Sequence, residues 1–471
     1  MIRGAPGPIQ QPTTPRPPSW RRCSQRISRS LPPGWIPKWV RRGRPLPDRF
    51  EVVRDPLWDN IRLDGAALRV LDTPAVQRLR YVRQLGHAFL VYPGATHSRF
   101  EHALGAYHLT KSALTALAER GELDPASEED RLAARLAALL HDIGHYPFSH
   151  SLEEAGFLHH ESLGVAKLTR GELGDVLASI GGPGLAIRIG EMIRGESASP
   201  LGGLISGSLD LDKIEYLSRD ARMCGVPYGA VDVDRLLASL TLVESEPGRW
   251  EIGVHEKGIS ALESLLFAKY QMYRNVYWHH AVRSATCMFK RAVRRAVADG
   301  VLTPARIAES NDGGLMAALL AADPTGLGAR VQQRRLFKRA LDLPASDVPA
   351  EVQPWLSDQP DLLERVEDAL AEESGLTPGL LLLDFPERTS MLAVDLPLRT
   401  RAGGVERLTN AGRAGQLGLP RVADALYESA RRLRVFTEGR ASAKLEGLMG
   451  LIVLPAEEVA RRLDAGAPLL R

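Results

Sequence analysis

Residues 139–150 read LLHDIGHYPFSH, and the fold turns on how this stretch is read. The run before it, RLAARLAALL at 131–140, is Ala/Leu-rich and has the spacing of a helix. Gly144 and Pro147 follow within a few residues, so that helix ends or is disrupted here. His141 and Asp142 then sit side by side near a helix end that faces a cleft. His145 and His150 lie just beyond them.

Working outward, all twelve histidines fall between His87 and His280. Nine of them gather in four groups: HSRFEH, HDIGHYPFSH, HHE and YWHH. Four side chains are candidates to converge on one divalent ion: His102, His141, Asp142 and Asp212. Imidazole with carboxylate suits iron, manganese, cobalt, nickel or zinc and disfavours calcium. Two carboxylates without a thiolate leave room for water on the ion, as in a catalytic site rather than a closed structural one. The competing reading is a set of histidines that only hydrogen-bond within the fold.

The 471 residues provide enough chain for one large core or several smaller ones. Apolar residues make up 44% and charged residues 25%, the balance of a soluble globular protein. Cys23, Cys224 and Cys287 show no CxxC spacing. That argues against a disulfide framework or a thiolate zinc site and fits a reducing, cytoplasmic setting. No run of about 18 apolar residues suggests a membrane span. Residues 1–47 are rich in Pro and Arg and contain no Asp or Glu. Such a segment has little apolar surface to offset the entropy of ordering, so a disordered tail is expected.

The folded part is expected to begin near Phe50 with a short strand-like piece. Asp72, followed by Thr73 and Pro74, reads as a helix cap with proline in the first turn. Helices are expected over 101–120, 132–141, 161–180, 185–194 and 209–223, and across 258–298. WEIGV at 250–254 reads as a strand. Further on, 328–341 and 360–372 read as helices, and LLLLDFP, MLAVDLPL and RLRVF as strands. The whole is mainly α, with a histidine-bearing helical domain over 48–300 and a smaller α+β region over 301–471.

The order H…HD…D resembles the signature of HD-domain metal-dependent phosphohydrolases. More narrowly, DTPAVQRLRYVRQLGHAFLVYPGATHSRFEHALGAYHLT at 72–110 is similar to the deoxynucleoside triphosphate triphosphohydrolases. LLHDIGHYPFSH and LDLDKIEYLSRDARMCGV at 209–226 are similar to them too. A SAM domain, which some members carry, is not evident in this chain. The resemblance implies the HD-domain helical phosphohydrolase fold. It implies a divalent metal (Mn, Fe, Mg, Co, Ni or Zn) held by His102, His141, Asp142 and Asp212. The implied reaction is hydrolysis of a deoxynucleoside triphosphate, dGTP among the candidates, to deoxynucleoside and inorganic triphosphate.

The resemblance also implies roles for other residues. His160, steadied by Glu161, would donate a proton to the leaving 5′-oxygen, and His145 would contact the phosphate. His150 matches a scaffold position that anchors the turn. Arg99, Lys213 and Lys269 would meet the phosphates, with Lys269 standing where the family places arginine. Gln84 and Leu85 would meet the deoxyribose, with Tyr216, Asp220, Tyr273, Tyr277 and His279 around the sugar and base. The family reads QLGG where this chain has Gln84, Leu85, Gly86 and His87, so a ring replaces the second glycine. Asp72, Gln77 and Arg80 resemble part of an activating-nucleotide site; ordinary capping and intrahelical pairing is the other reading. A homo-oligomer is implied, and nucleic acid is not an expected partner. The alternatives are another HD phosphohydrolase, such as a 5′-nucleotidase or phosphodiesterase, and a nucleotide sensor without catalysis.

Overall fold

The computed structural model describes residues 50–387, 392–409, 422–438 and 445–470. The Pro/Arg-rich tail at 1–47 lies outside the described residues. The described residues belong to one compact unit.

A hairpin of strands Glu51–Asp55 and Asp59–Leu63 opens the unit. The long helix Arg99–Glu119 follows, started by a capping box in which Ser98 and Glu101 satisfy each other's neighbouring amides. Its partner, Glu128–Leu140, starts the same way on Ser127 and Asp130. It ends at Leu140 with His141 as the cap residue, as Gly144 and Pro147 imply. These two helices pack with Leu211–Cys224 and Ile259–Met272 around a core of Leu, Ala and Ile side chains.

Three expected elements differ. The helix over 161–180 is two helices, His160–Leu168 and Gly171–Gly181, because Gly171 takes a left-handed φ of 59°. The helical region 258–298 is broken by a π-helical turn, Tyr273–Tyr277, before helix His280–Ala298 begins. The helix over 328–341 stops at Gln332, and Lys338–Pro344 is a strand. Arg334, at φ 57°, breaks the helix, and the strand pairs antiparallel with Arg432–Thr437. A smaller correction concerns residue 72. Thr73 is the N-cap of the Pro74–Gln77 turn, whereas Asp72 closes the preceding helix Gly65–Leu71.

Strands Leu240–Glu246 and Arg249–His255 form a hairpin, and Leu396–Arg399 joins it in parallel, followed by Val405–Leu408. Late sequence thus completes a sheet begun more than 140 residues earlier, near the middle of the chain. A second sheet has the order Lys338–Pro344, Arg432–Thr437, Leu381–Asp384. It covers a C-terminal core built on Trp355, Val366, Leu370 and Ile452. No single helix among the described residues is long and apolar enough to cross a membrane.

Candidate active site

Three helices bring the expected ligands together. His102 lies in the first turn of Arg99–Glu119, His141 and Asp142 at the end of Glu128–Leu140, and Asp212 in the first turn of Leu211–Cys224. His102 Nε2 is 3.1 Å from His141 Nε2, 2.9 Å from Asp212 Oδ1 and 3.5 Å from Asp142 Oδ2. His141 Nε2 is 3.4 Å from an oxygen of each aspartate. Ligands at about 2.1 Å from a shared ion lie about 3.0–3.4 Å from one another. The donor atoms of His102, His141 and Asp142 converge as such a group, and Asp212 Oδ1 approaches it through the two rings. Both rings are turned for it. His102 Nδ1 donates to Glu215 at 2.6 Å and His141 Nδ1 to the Ala138 carbonyl at 2.9 Å, leaving each Nε2 facing the cluster.

Electrostatics agree. Burial opposes a charge on His102, but its bonds to Asp212 and Glu215 outweigh burial and raise the ring to about 10. Asp142 and Asp212 are held well below the usual carboxylate range, against burial, by Arg99 and the histidines. The cluster therefore draws positive charge.

A second group adjoins the first. His145 Nε2 is 3.1 Å from Asp142 Oδ1, and its ring stacks on His160 at 3.7 Å. Here the structure corrects the sequence reading. Glu161 is half-exposed, 3.9 Å from His159 Nδ1, and makes no hydrogen bond to the His160 ring among the described residues. Glu153 does: its Oε1 accepts from His160 Nδ1 at 2.6 Å and from the His160 amide at 3.0 Å. The other oxygen accepts from His150 Nδ1 at 3.0 Å. His150, expected to anchor a turn, has a half-exposed ring that lines the cavity next to the cluster. The His160 ring is lowered by burial, with Glu153 pulling the other way.

That cavity measures about 670 Å³. Gln84, Leu85, Arg99, Tyr216, Asp220, Tyr273 and Tyr277 all line it. Asp212, Tyr216 and Asp220 fall on one face of one helix at successive four-residue steps. Asp220 is buried, taking bonds from Tyr277 Oη at 2.7 Å and His97 Nε2 at 2.8 Å. The π-helical turn carries Tyr273 and Tyr277 to this wall. Arg99 is buried and grips Asp142 and Ser149 Oγ.

Lys213, Lys269 and His279 are not among the lining residues. Lys213 Nζ donates to Asp210 and to the Gly207 carbonyl. Lys269 is lowered to about 8 by burial and by Lys213, with Asp210 and Asp212 opposing. His279 caps helix His280–Ala298, accepting from the Ala281 amide. His87 lines the cavity as a buried ring stacked on Phe148 at 4.5 Å, and burial lowers it to about 3. Gln77 accepts from Arg80 Nε at 2.8 Å, Arg80 lies over the Phe100 ring, and Asp72 is exposed.

The sequence reading missed the outer supports. Glu215 takes His102, Arg219 and Trp58 at once, and Arg219 clasps Asp55 of the first hairpin with two bonds. Spacing carried a signal: Glu215 lies three residues after Asp212, and Glu153 three after His150.

This is the histidine–aspartate centre of an HD-domain protein. The chain matches the HD domain over residues 99–194 and the HD associated region over 231–412. The uncharacterized protein MJ1154 of Methanocaldococcus jannaschii is 37% identical over 293 residues, 62% of this chain and 60% of that protein. Human deoxynucleoside triphosphate triphosphohydrolase SAMHD1 is 44% identical over 106 residues, 22% of this chain and 17% of the human enzyme. The chain therefore spans little more than half of the archaeal relative and a small part of the human one. A phosphohydrolase, BT4208, from Bacteroides thetaiotaomicron shares the fold, with a TM-score of 0.65 at 22% identity over 83% of this chain and all of that one.

Proposed function

We propose that this protein is a metal-dependent phosphohydrolase that converts deoxynucleoside triphosphates to deoxynucleoside and inorganic triphosphate. One observation carries the reading: a single helical face presents Asp212 to the ligand cluster and Tyr216 and Asp220 to the adjoining cavity. A phosphate-handling centre and an aromatic, nucleoside-sized wall are thereby fixed to one rigid element. The named activity of SAMHD1 agrees with it.

His102, His141, Asp142 and Asp212 would hold the cation. When bound, it polarises a phosphoryl oxygen and lowers the pKa of water. The chain's own groups do the rest. Arg99, on the cavity side of Asp142, meets phosphate charge, and Lys213 and Lys269 add positive potential behind Asp212. Water attacks the α-phosphorus, the bond to the 5′-oxygen breaks, and that oxygen takes a proton. His160, held through Nδ1 by Glu153, is the donor, and an incoming polyanion favours its protonated form. Tyr277, fixed on Asp220, packs against the sugar with Leu85 and Tyr216, where a ribose 2′-hydroxyl would go unpaired. Homo-oligomeric assembly and an activating nucleotide at Asp72, Gln77 and Arg80 belong to the same reading.

The test is product identity. Purified protein with Mn²⁺, Mg²⁺, Fe²⁺ or Co²⁺ is offered each dNTP, NTP and nucleoside monophosphate, and the products are separated by ion-exchange chromatography. Tripolyphosphate with free deoxynucleoside is the expected pair. Orthophosphate or pyrophosphate instead would point to a nucleotidase or phosphodiesterase. Tight dNTP binding without turnover would point to a sensor.

A further inference from the structure

The loop that follows the histidine–aspartate pair has an unusual backbone. Phe148 and Ser149, neither of them glycine, are consecutive left-handed residues at φ 57° and 59°. Each such residue costs about 1–3 kcal/mol and persists only where its surroundings impose it. Two supports lie nearby: Ser149 Oγ bonds the carbonyls of Arg83 and Gln84, and it accepts from Arg99 Nε.

The third support comes from far along the chain. Asp312, buried at the start of helix Asp312–Ala322, turns its carboxylate into the HD domain. One oxygen accepts from the Phe148 amide at 2.8 Å. The other accepts from the Arg83 amide at 3.1 Å. Arg78 makes a parallel tie, donating to the His145 carbonyl and to the Ser310 carbonyl, each at 2.8 Å. Residues 310–312 therefore grip both sides of the loop that carries His145, Ser149 and His150. They also grip the segment that leads into Gln84 and Leu85. An acceptor-only carboxylate suits the role, because every facing group is a donor: the two amides and the Arg83 guanidinium, 3.4 Å from the second oxygen.

We propose that Asp312 is a positioning residue for hydrolysis, acting from the HD associated region on the loop that carries His145 and His150. This rests on the function proposed above. A displacement of about 1 Å in such a loop is enough to cost about 100-fold in rate.

The test uses the full chain loaded with Mn²⁺ and the variant Asp312→Asn, whose amide can accept from only one of the two donors. Hydrogen exchange of peptides over 145–151 should be about tenfold faster, with the Arg99–Glu119 helix unchanged. In parallel kcat should fall about 10–100-fold while KM and bound Mn²⁺ hold. Unchanged loop exchange overturns the proposal. So does a loosened loop with full kcat, which would make Asp312 a structural residue only. If Asp312→Asn does not fold, Arg78→Lys, which keeps one carbonyl bond of two, is read by the same two measurements. Wild-type protein that releases no tripolyphosphate would defeat the parent reading and the kinetic role with it. Loop exchange would then still decide whether Asp312 holds the loop.

Discussion

Gly105→Ala is the change that most sharply separates local helix preference from the needs of the site. Gly105 lies inside the Arg99–Glu119 helix, where alanine is favoured over glycine by about 1 kcal/mol. On propensity alone the variant should be more stable. A Cβ at that position would fall 2.0 Å from Glu215 Oε1, 2.6 Å from its Cδ and 2.8 Å from its Cγ. A carbon–oxygen contact needs about 3.3 Å, so the carboxylate must move by about 1 Å or more. It has no free direction: Glu215 is fully buried and takes bonds from His102, Arg219 and Trp58 at 2.6, 2.7 and 2.9 Å. Each bond involving a charged group contributes about 1.5–3 kcal/mol, so losing one outweighs the helix gain. Net destabilisation of about 1–2 kcal/mol is expected, and more if Arg219 is also released. Without Glu215 to orient His102, metal affinity should fall about 10–100-fold. Denaturant unfolding gives the first number, and metal titration followed by elemental analysis the second. A Gly105→Ala protein that is more stable than wild type and binds metal equally well would refute the reasoning.

Three other changes are expected to behave distinctively. Glu153→Gln should lower the hydrolytic rate about 10–1000-fold with metal content intact, while Glu161→Gln leaves it near wild type; equal effects would undo the assignment of Glu153 to His160. Asp212→Ala should abolish both bound metal and turnover, and retention of metal would remove Asp212 from the ligand set. Burial raises Glu367 to about 8, with Arg291 opposing, and its carboxyl accepts from the Leu383 amide. Its folded pKa lies above the unfolded one, so its contribution is full below about 4.5 and is lost as pH rises through about 8. Glu367→Gln should therefore show a smaller fall in Tm between pH 6 and pH 9 than wild type. An identical fall would show that Glu367 does not titrate there.

Much of the site was legible because its ligands sit at helix ends. His141 and Asp142 lie where Gly144 and Pro147 stop a helix, and Asp212 lies behind the Asp210 cap. The supports were harder to read because they act across space. Glu161 adjoins His160 in sequence and Glu153 lies seven residues before it, and only the turn at 149–156 brings Glu153 to the ring. Asp312 is about 165 residues from the loop it grips and has no local pattern to mark it. The strand Lys338–Pro344 has apolar spacing compatible with a helix, and its pairing with Arg432–Thr437 overrides that local preference. Gly105 has no local sequence mark of its role, which is to leave the space into which Glu215 fits.

The central claim is that one divalent ion is shared by four side chains beside the nucleotide-sized cavity. Anomalous diffraction from crystals of the Mn²⁺-loaded protein tests it most directly. A single strong peak is expected about 2.0–2.3 Å from His102 Nε2, His141 Nε2 and one oxygen each of Asp142 and Asp212. A peak held instead by His145, His150, Glu153 and His160, another group whose donor atoms converge among the described residues, would contradict it.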